Sequence, residues 1–537
     1  MQKIQFYLNR ITFQSLVFIS NILKKFETGR KINASLDSKF DFSYLFYRFF
    51  IEEDEINHWI GHSNADANFK ISIVTPCFGM QALYLQELYQ SLTIQDHTNW
   101  ELCLCLDGIQ PLDFENYVAK IVRQDKRVKT IRHETNLGIS AATRSAVSIA
   151  NGDAVLFADA DDKLHKRALK IFAHEFTRDT ELDFAYSDMD FCTDYGYRIQ
   201  PMRKPNWSPE LLSVVNYINH AVVARKSIID SFNLYDLFPD NISGSQDWNF
   251  CFLASNKSRK IKRVPFILYH WRKRKGSVAE SPDAKPYLFQ SCSTLLNQEC
   301  VKKHEFLIAQ FNSNFNYELS IADEAQNKVQ VIHIRVKDFI NSMDSNQYKE
   351  YLKNLDAVIS GINSKCTDSK TFLLFTVCEN ISGIQMNEIS LCKPPEEFKG
   401  TTLKQMVAYA LQKDVACVWP FTEEGFKAAY TINQFGFKKI EHEYSAFGQY
   451  VGNVLAGPFH GLMIGLDKFK ESGGFHKLAI ESNLVHSFSM DHLSVALSIN
   501  CLTRKLRNVS VPGITVDKSP TPIPWDHGIQ VDPYVLC

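Results

Sequence analysis

Three carboxylates crowd four positions in "VLFADADDKL", where Asp159, Asp161 and Asp162 follow a short apolar run. Their mutual repulsion is unfavourable unless something offsets it. A hard divalent cation does so: Mg2+ or Mn2+ takes oxygen ligands, commonly a carboxylate or two with phosphate oxygens and water. Such a cation would neutralise a departing diphosphate. Acidic turns are also common, so the D-x-D pair alone leaves a solvated turn open. Asp247 in "SQDWNF" precedes a helical stretch and could cap it. "YHWRKRKGS" gathers His270, Arg272 and Arg274, and arginine forks suit phosphate. A histidine so placed reads equally well as a structural residue.

The elements that must position these groups are legible in the pattern. "KISIVTP", "WELCLCLDG", "VKTIRHE", "AVLFADADD" and "DFAYSDMDF" read as strands. Between them lie helical stretches such as "LYLQELYQSL", with Leu85, Leu88 and Leu92 on one face. "ISAATRSAVSIANGD" reads as a helix ended by Asn151-Gly152, with Gly152 in a left-handed cap. This alternation predicts a mostly parallel α/β sheet covered on both faces. Ligands of such sheets bind beyond the carboxyl ends of the strands. Pro76, Asp107, Asp159 to Asp162 and Asp188 to Asp190 all fall at those ends, so several acids converge on one rim.

The whole chain has 537 residues, a formal net charge of −1 and 45% hydrophobic residues. That length exceeds one core, and three regions are expected: a helical N-terminal extension over 1–68, an α/β domain over 69–310 and a second one over 311–537. The balanced charge offers no field to attract nucleic acid. The 13 cysteines form no C-x-x-C pair and read as reduced core thiols, as in the cytosol. No run approaches the ~20 apolar residues that cross a bilayer. "FYLNRITFQSLVFISNILKKF" could form an amphipathic helix lying on a membrane or one packed on the protein body, and both stay open.

"ISIVTPCFG", "NWELCLCLDG", "NLGISAATRSAVSIANGDAVLFADADD", "YSDMD", "SQDWNF" and "LYHWRKRKGSVA" stand in the order and spacing of inverting family 2 glycosyltransferases of the GT-A fold. The resemblance covers roughly residues 69 to 280. It implies a nucleotide-diphosphate-sugar donor, a UDP-sugar by preference, with Mn2+ or Mg2+ as cofactor. By the same resemblance Thr75, Pro76 and Phe78 help form the nucleotide pocket and Asp107 contacts the base. The family usually has two adjacent acids there, whereas here Leu106 precedes Asp107. Asn136, Gly138 and Arg144 match the segment lining the sugar-diphosphate. Asp159 and Asp161 match the metal pair, and Asp247 matches the catalytic base. His270 matches a residue closing over diphosphate and metal, with Arg272 beside it. Asp188 and Asp190 match a segment near the acceptor.

Residues 398 to 516 resemble the family more faintly. "GPFHGLMIGLDKFKESGGFHK" and "SMDHLSVALSI" align with segments around the base, placing Asp491 at its position. The D-x-D strand aligns with "VACV", after which "WPFTEEG" holds no aspartate pair. The implied second domain is thus a degenerate GT-A-like copy lacking the metal site. By the resemblance the protein is a cytoplasmic glycosyltransferase, peripheral at the inner membrane face, extending a bacterial surface polysaccharide on a glycan or lipid-linked oligosaccharide acceptor. Homo-oligomerisation is left open. Rival readings are a bifunctional transferase, a non-catalytic glycan-binding scaffold, and a nucleotidyltransferase. The last should have a basic glycine-rich loop, and "TPCFGMQALYL" has neither Lys nor Arg.

Overall fold

The computed structural model describes residues 44, 47–49, 51–61, 67–274, 287–303, 305–311, 317–323, 329–337, 344–361, 370–378, 390–392, 401–420, 430–433, 436–439, 452–453, 462–481 and 490–511. The chain divides into two compact units. One holds the residues up to Trp207 together with Tyr217–Cys292, and the other holds Ser208–Asn216 and the residues from Ser293 onward. No helix among the described residues is long and apolar enough to cross a membrane. The amphipathic stretch expected near the N-terminus lies outside the described residues.

The described residues of the first unit form nine strands: β1 (Ile71–Cys77), β2 (Trp100–Asp107), β3 (Val128–His133), β4 (Ala154–Phe157), β5 (Lys163–Leu164), β6 (Leu182–Cys192), β7 (Arg198–Met202), β8 (Val222–Arg225) and β9 (Lys260–Arg272). Their order is β3-β2-β1-β4-β8-β6-β9-β5, with β7 on β6. β2, β1 and β4 run parallel, as do β6 and β9. β8 is antiparallel to both its neighbours, β4 and β6. The expected α/β sheet is therefore present but mixed: β8 is reversed at its centre, and β5 and β7 are antiparallel to β9 and β6. β1 and β2 are buried almost throughout, which is why both read as unbroken apolar runs rather than alternating ones. Helix Leu112–Gln124 buries Phe114, Val118 and Ile121, one stripe at helical spacing.

Two local expectations need correction or placement. Helix Ile139–Ser148 ends at a cap on Ile149, not at a left-handed Gly152. Gly152 is small for another reason: a Cβ there would lie 2.7 Å from the Lys70 carbonyl oxygen and 2.7 Å from Ser72 Oγ. In the N-terminal extension, helix Glu52–Ile60 packs on the first unit. Ile56 and Ile60 join its core, Trp59 donates to Glu175, and Glu53 pairs with Arg167.

In the second unit β10 (Leu307–Phe311) and β11 (Tyr317–Ile321) form a hairpin, as do β16 (Tyr430–Asn433) and β17 (Gly436–Lys439). The main sheet contains β12 (Val329–Lys337), β13 (Lys370–Cys378), β14 (Ser390–Cys392), β15 (Val415–Pro420), β18 (Gly452–Asn453), β19 (Met463–Gly465) and β20 (Arg507–Val511), in the order β14-β12-β13-β19-β15-β20-β18. β12 and β13 are parallel, β19 is antiparallel to both β13 and β15, and β15 and β20 are parallel. Its core gathers Leu352, Leu355, Phe375, Ile464, Phe469 and Leu497. Glu210, fully buried, pairs with Arg507.

Candidate active site

The acidic turn begins two residues after β4, at the carboxyl edge of the sheet. Asp159, Asp161 and Asp162 each offer a carboxylate oxygen, and these atoms lie within 4.8 Å of one another. The three are not equivalent. Asp162 is fully buried, accepts from the Tyr269 hydroxyl and from the Arg272 N–H at 2.8 Å, and is pushed well up by burial and by its two acidic neighbours. It is a structural acid, tied to β9 by both of these bonds. Asp159 and Asp161 are partly exposed, and Asp161 pairs with Arg274. Two outward carboxylates with an oxygen-only donor set fit a hard divalent cation. Arg274 supplies the offsetting charge in this arrangement.

Asp247 sits in the first turn of helix Gln246–Lys257 and lines the same pocket as Asp159, Asn219 and His220. It is not the cap: Ser245 precedes the helix and makes no side-chain cap bond. Burial raises the Asp247 carboxyl to about 6, although backbone N–H groups of the first turn and the Asn219 amide favour its charged form. A carboxylate tuned upward toward neutrality suits a group that must accept a proton.

Several expected contacts fall elsewhere. His270 does not join the acidic cluster. Its Nδ1 meets Asp190 Oδ1 at 2.6 Å in a buried network with Arg198 and Tyr44. The reason is strand alternation: on β9, Tyr269 and Trp271 face His220 and the rim, so His270 between them points the other way. Arg272 is also buried and engaged, with Glu87 and with the carbonyls of Asp161, Thr193 and Asp194. It shapes the rim rather than offering a free fork to phosphate. Arg274, by contrast, keeps 35% side-chain exposure in its pair with Asp161.

Asp107 is buried, with one oxygen on His133 Nδ1 (2.7 Å) and the Leu137 N–H (2.8 Å), the other on the Gly138 N–H (2.9 Å). It anchors the 136–138 loop from beneath. The same close packing fixes Gly108, where a Cβ would stand 2.7 Å from the Asn136 nitrogen. Asn136 Oδ1 accepts from the Gly138 N–H, and Gly138, at φ 90, turns the chain into helix Ile139–Ser148. Arg144 is spent on Asp240 and the Phe238 carbonyl, under Tyr235, and so ties that helix to the 235–240 segment. Pro76 lines the pocket, Thr75 is buried beneath it, and Phe78 is 54% exposed. Asp188 forms a buried pair with Arg263, and Asp190 pairs with Arg198, so both brace the sheet.

Four participants were not singled out from sequence: Asn219, His220, Tyr269 and His133. Period-two alternation on "LYHWR" could have favoured Tyr269 over His270. "NYINH" belongs to no helical or strand pattern, which left its two polar residues without a predicted place.

Residues 72–235 match the family model described as glycosyl transferase family 2. Among curated proteins, the chain is 31% identical over 219 residues to the uncharacterized protein y4gI of Sinorhizobium fredii, covering 40% of this chain and 24% of that one. It is 28% identical over 211 residues to the O-antigen biosynthesis protein RfbC of Myxococcus xanthus, covering 39% and 16%. The chain thus spans less than a third of the length of either relative. Among solved structures, Staphylococcus aureus TarS 1–349 with UDP-GlcNAc is similar at 23% identity and a TM-score of 0.36, over 43% of this chain and 66% of that one. Residues 72–235, which carry the acidic turn and the loops around it, are a glycosyl transferase family 2 domain.

Proposed function

We propose that the first unit transfers a sugar from a nucleotide-diphosphate sugar, by preference a UDP-sugar, to a hydroxyl of a glycan or lipid-linked oligosaccharide, with inversion at the anomeric carbon. The observation that carries this is one pocket bordered by Asp159 of the acidic turn and by Asp247 with its raised carboxyl. Asp159 and Asp161 would hold Mn2+ or Mg2+, which when bound draws electrons from the diphosphate leaving group. Arg274 adds positive charge at Asp161. Asp247 takes the proton of the acceptor hydroxyl as its oxygen attacks opposite the diphosphate, and a single displacement inverts the centre. Bacterial surface-polysaccharide synthesis is supported by the relative named an O-antigen biosynthesis protein. A cytoplasmic setting at the inner membrane face belongs to the same reading. It agrees with the reduced state of nine of the described cysteines.

The test is release of nucleoside diphosphate from a panel of UDP-, dTDP- and GDP-sugars, with Mn2+, Mg2+ or chelator, and a mixed glycan acceptor. Metal-dependent release from one donor is expected. A non-catalytic glycan-binding scaffold would release none with any donor, and a nucleotidyltransferase would instead liberate pyrophosphate from sugar phosphate and nucleoside triphosphate.

A further inference from the structure

Residues 218–220 run between the base and the acidic turn, and neither role explains their bonding. We propose that they form a brace for the base, in which Lys204 fixes the segment and the Asn219 carboxamide fixes Asp247; this rests on Asp247 being the base. The Lys204 side chain is fully buried. Its Nζ donates to the carbonyls of Ile218 (2.9 Å) and His220, the two that flank Asn219. Burying a lysine amine against two carbonyls is costly, and burial pushes it down to about 7, so the contact is informative about what must be held.

Asn219 has two amide hydrogens. One goes to Asp247 Oδ2 and the other to His220 Nε2 at 3.2 Å. Because an amide NH2 only donates, Nε2 must accept, which leaves the imidazole proton on Nδ1. That atom is buried and has no hydrogen-bond partner among the described residues. The ring stacks on Tyr269 at 5.0 Å between centroids and meets Trp271 edge-on at 5.6 Å. The Tyr269 hydroxyl in turn donates to Asp162 and accepts the Asp159 N–H. One line of contacts therefore runs from Lys204 through Asn219 to the base, and from Asn219 through His220 and Tyr269 to the acidic turn. A carboxylate at 219 would repel Asp247, and a hydroxyl has only one hydrogen for two acceptors. Asn219 and Lys204 are positioning residues, acting through Asp247.

The test compares Asn219→Ala, Lys204→Met, Asp247→Asn and the Asn219→Ala/Asp247→Asn double variant, using the donor that the panel selects. Asn219→Ala should lower kcat about 10- to 100-fold with donor KM nearly unchanged, while adding nothing in the Asp247→Asn background. The acidic limb of its pH profile should move to higher pH, because the carboxylate loses a donor to its charged form. Lys204→Met should reproduce the kcat loss in part; should it fail to fold, the Asn219 variants decide alone.

Melting needs no substrate. Asn219→Ala should lower Tm further at pH 8 than at pH 5, by about 2 °C or more, and that excess should vanish beside Asp247→Asn. The other titratable groups around Asp247 among the described residues are Asp159, His220 and Cys251, which line the same pocket, and Lys204 behind the 218–220 segment. They are present in both backgrounds and cancel. Additive kcat losses, or equal Tm losses at the two pH values, would overturn the brace while leaving the base in place. Normal turnover by Asp247→Asn would overturn the base and the brace together.

Discussion

The two sheets repeat one wiring and differ in the residues hung on it. In the first unit β1, β4, β8, β6 and β9 lie side by side, and in the second β12, β13, β19, β15 and β20 do. In both, the fourth strand in chain order lies between the second and third and runs against them. A helix follows that reversed strand directly in each, Lys226–Asp230 and Leu466–Ser472. Ala154 pairs with Arg225 just before the first helix, and Phe372 pairs with Gly465 just before the second. Counted equally from those pairs, the position of Asp159 falls on Val377 and that of Asp161 on Glu379, which lies outside the described residues. The strand "VACV" that was expected to precede the lost acid pair corresponds instead to β6. Strand order hides this correspondence in the sequence, since chain neighbours are not sheet neighbours here. Backbone order survives on apolar burial alone, whereas a cation site needs particular carboxylates, so the second sheet can keep the first property without the second.

The sharpest way to break this comparison is to remove the acids from each unit. Asp161→Ala or Asp247→Asn should lower nucleotide release by about a thousandfold or more, the scale of losing a cation ligand or a general base. Glu379→Ala and Asp491→Asn should leave it within about twofold. Strong loss in the second pair would make the protein bifunctional and end the contrast.

Next come the buried ion pairs. Arg263→Met strands Asp188, which is fully buried, and should cost about 3–5 kcal/mol in denaturant unfolding of the first unit. Arg507 keeps 28% side-chain exposure, so Arg507→Met beside Glu210 should cost less, about 1–3 kcal/mol. An inverted ranking would place the more rigid charge network in the second unit.

A smaller effect separates function from stability. The folded Asp247 carboxyl holds its proton up to about pH 6, above the ordinary value of 3.8. Wild-type stability therefore falls as pH rises between those values, and an amide escapes the loss. Asp247→Asn should raise Tm by about 2–4 °C at pH 8 and change it little near pH 4. Smallest of all, Asp344→Ala in the second unit removes a capping box with Gln347 on helix Ser345–Ser360 and should cost about 1 kcal/mol.

What could be seen in advance follows physical lines. The positions of Asp159, Asp161 and Asp247 were legible because they sit in contiguous motifs whose flanking strand or helix is strongly patterned. Asp107, Arg144 and Arg272 have residue types that could serve a nucleotide, yet each is consumed by loop carbonyls, amides or a carboxylate that only tertiary structure brings near. His270 was misplaced by one step of a two-residue period. Lys204 and Asn219 could not be found because they act across a loop with no periodicity, through backbone carbonyls that any residue carries.

The N-terminal helix sets a limit on how far the chain can be shortened. Arg198 is balanced by Glu52 of that helix as well as by Asp190, and Tyr44 bonds to Asp190 from the same side. A fragment trimmed to begin at β1 would strip a carboxylate and a phenol from this buried cluster and bare Ile56 and Ile60's side of the core. Someone seeking the smallest stable form of the first unit should place its first residue ahead of Tyr44, even though the matched family segment starts at residue 72.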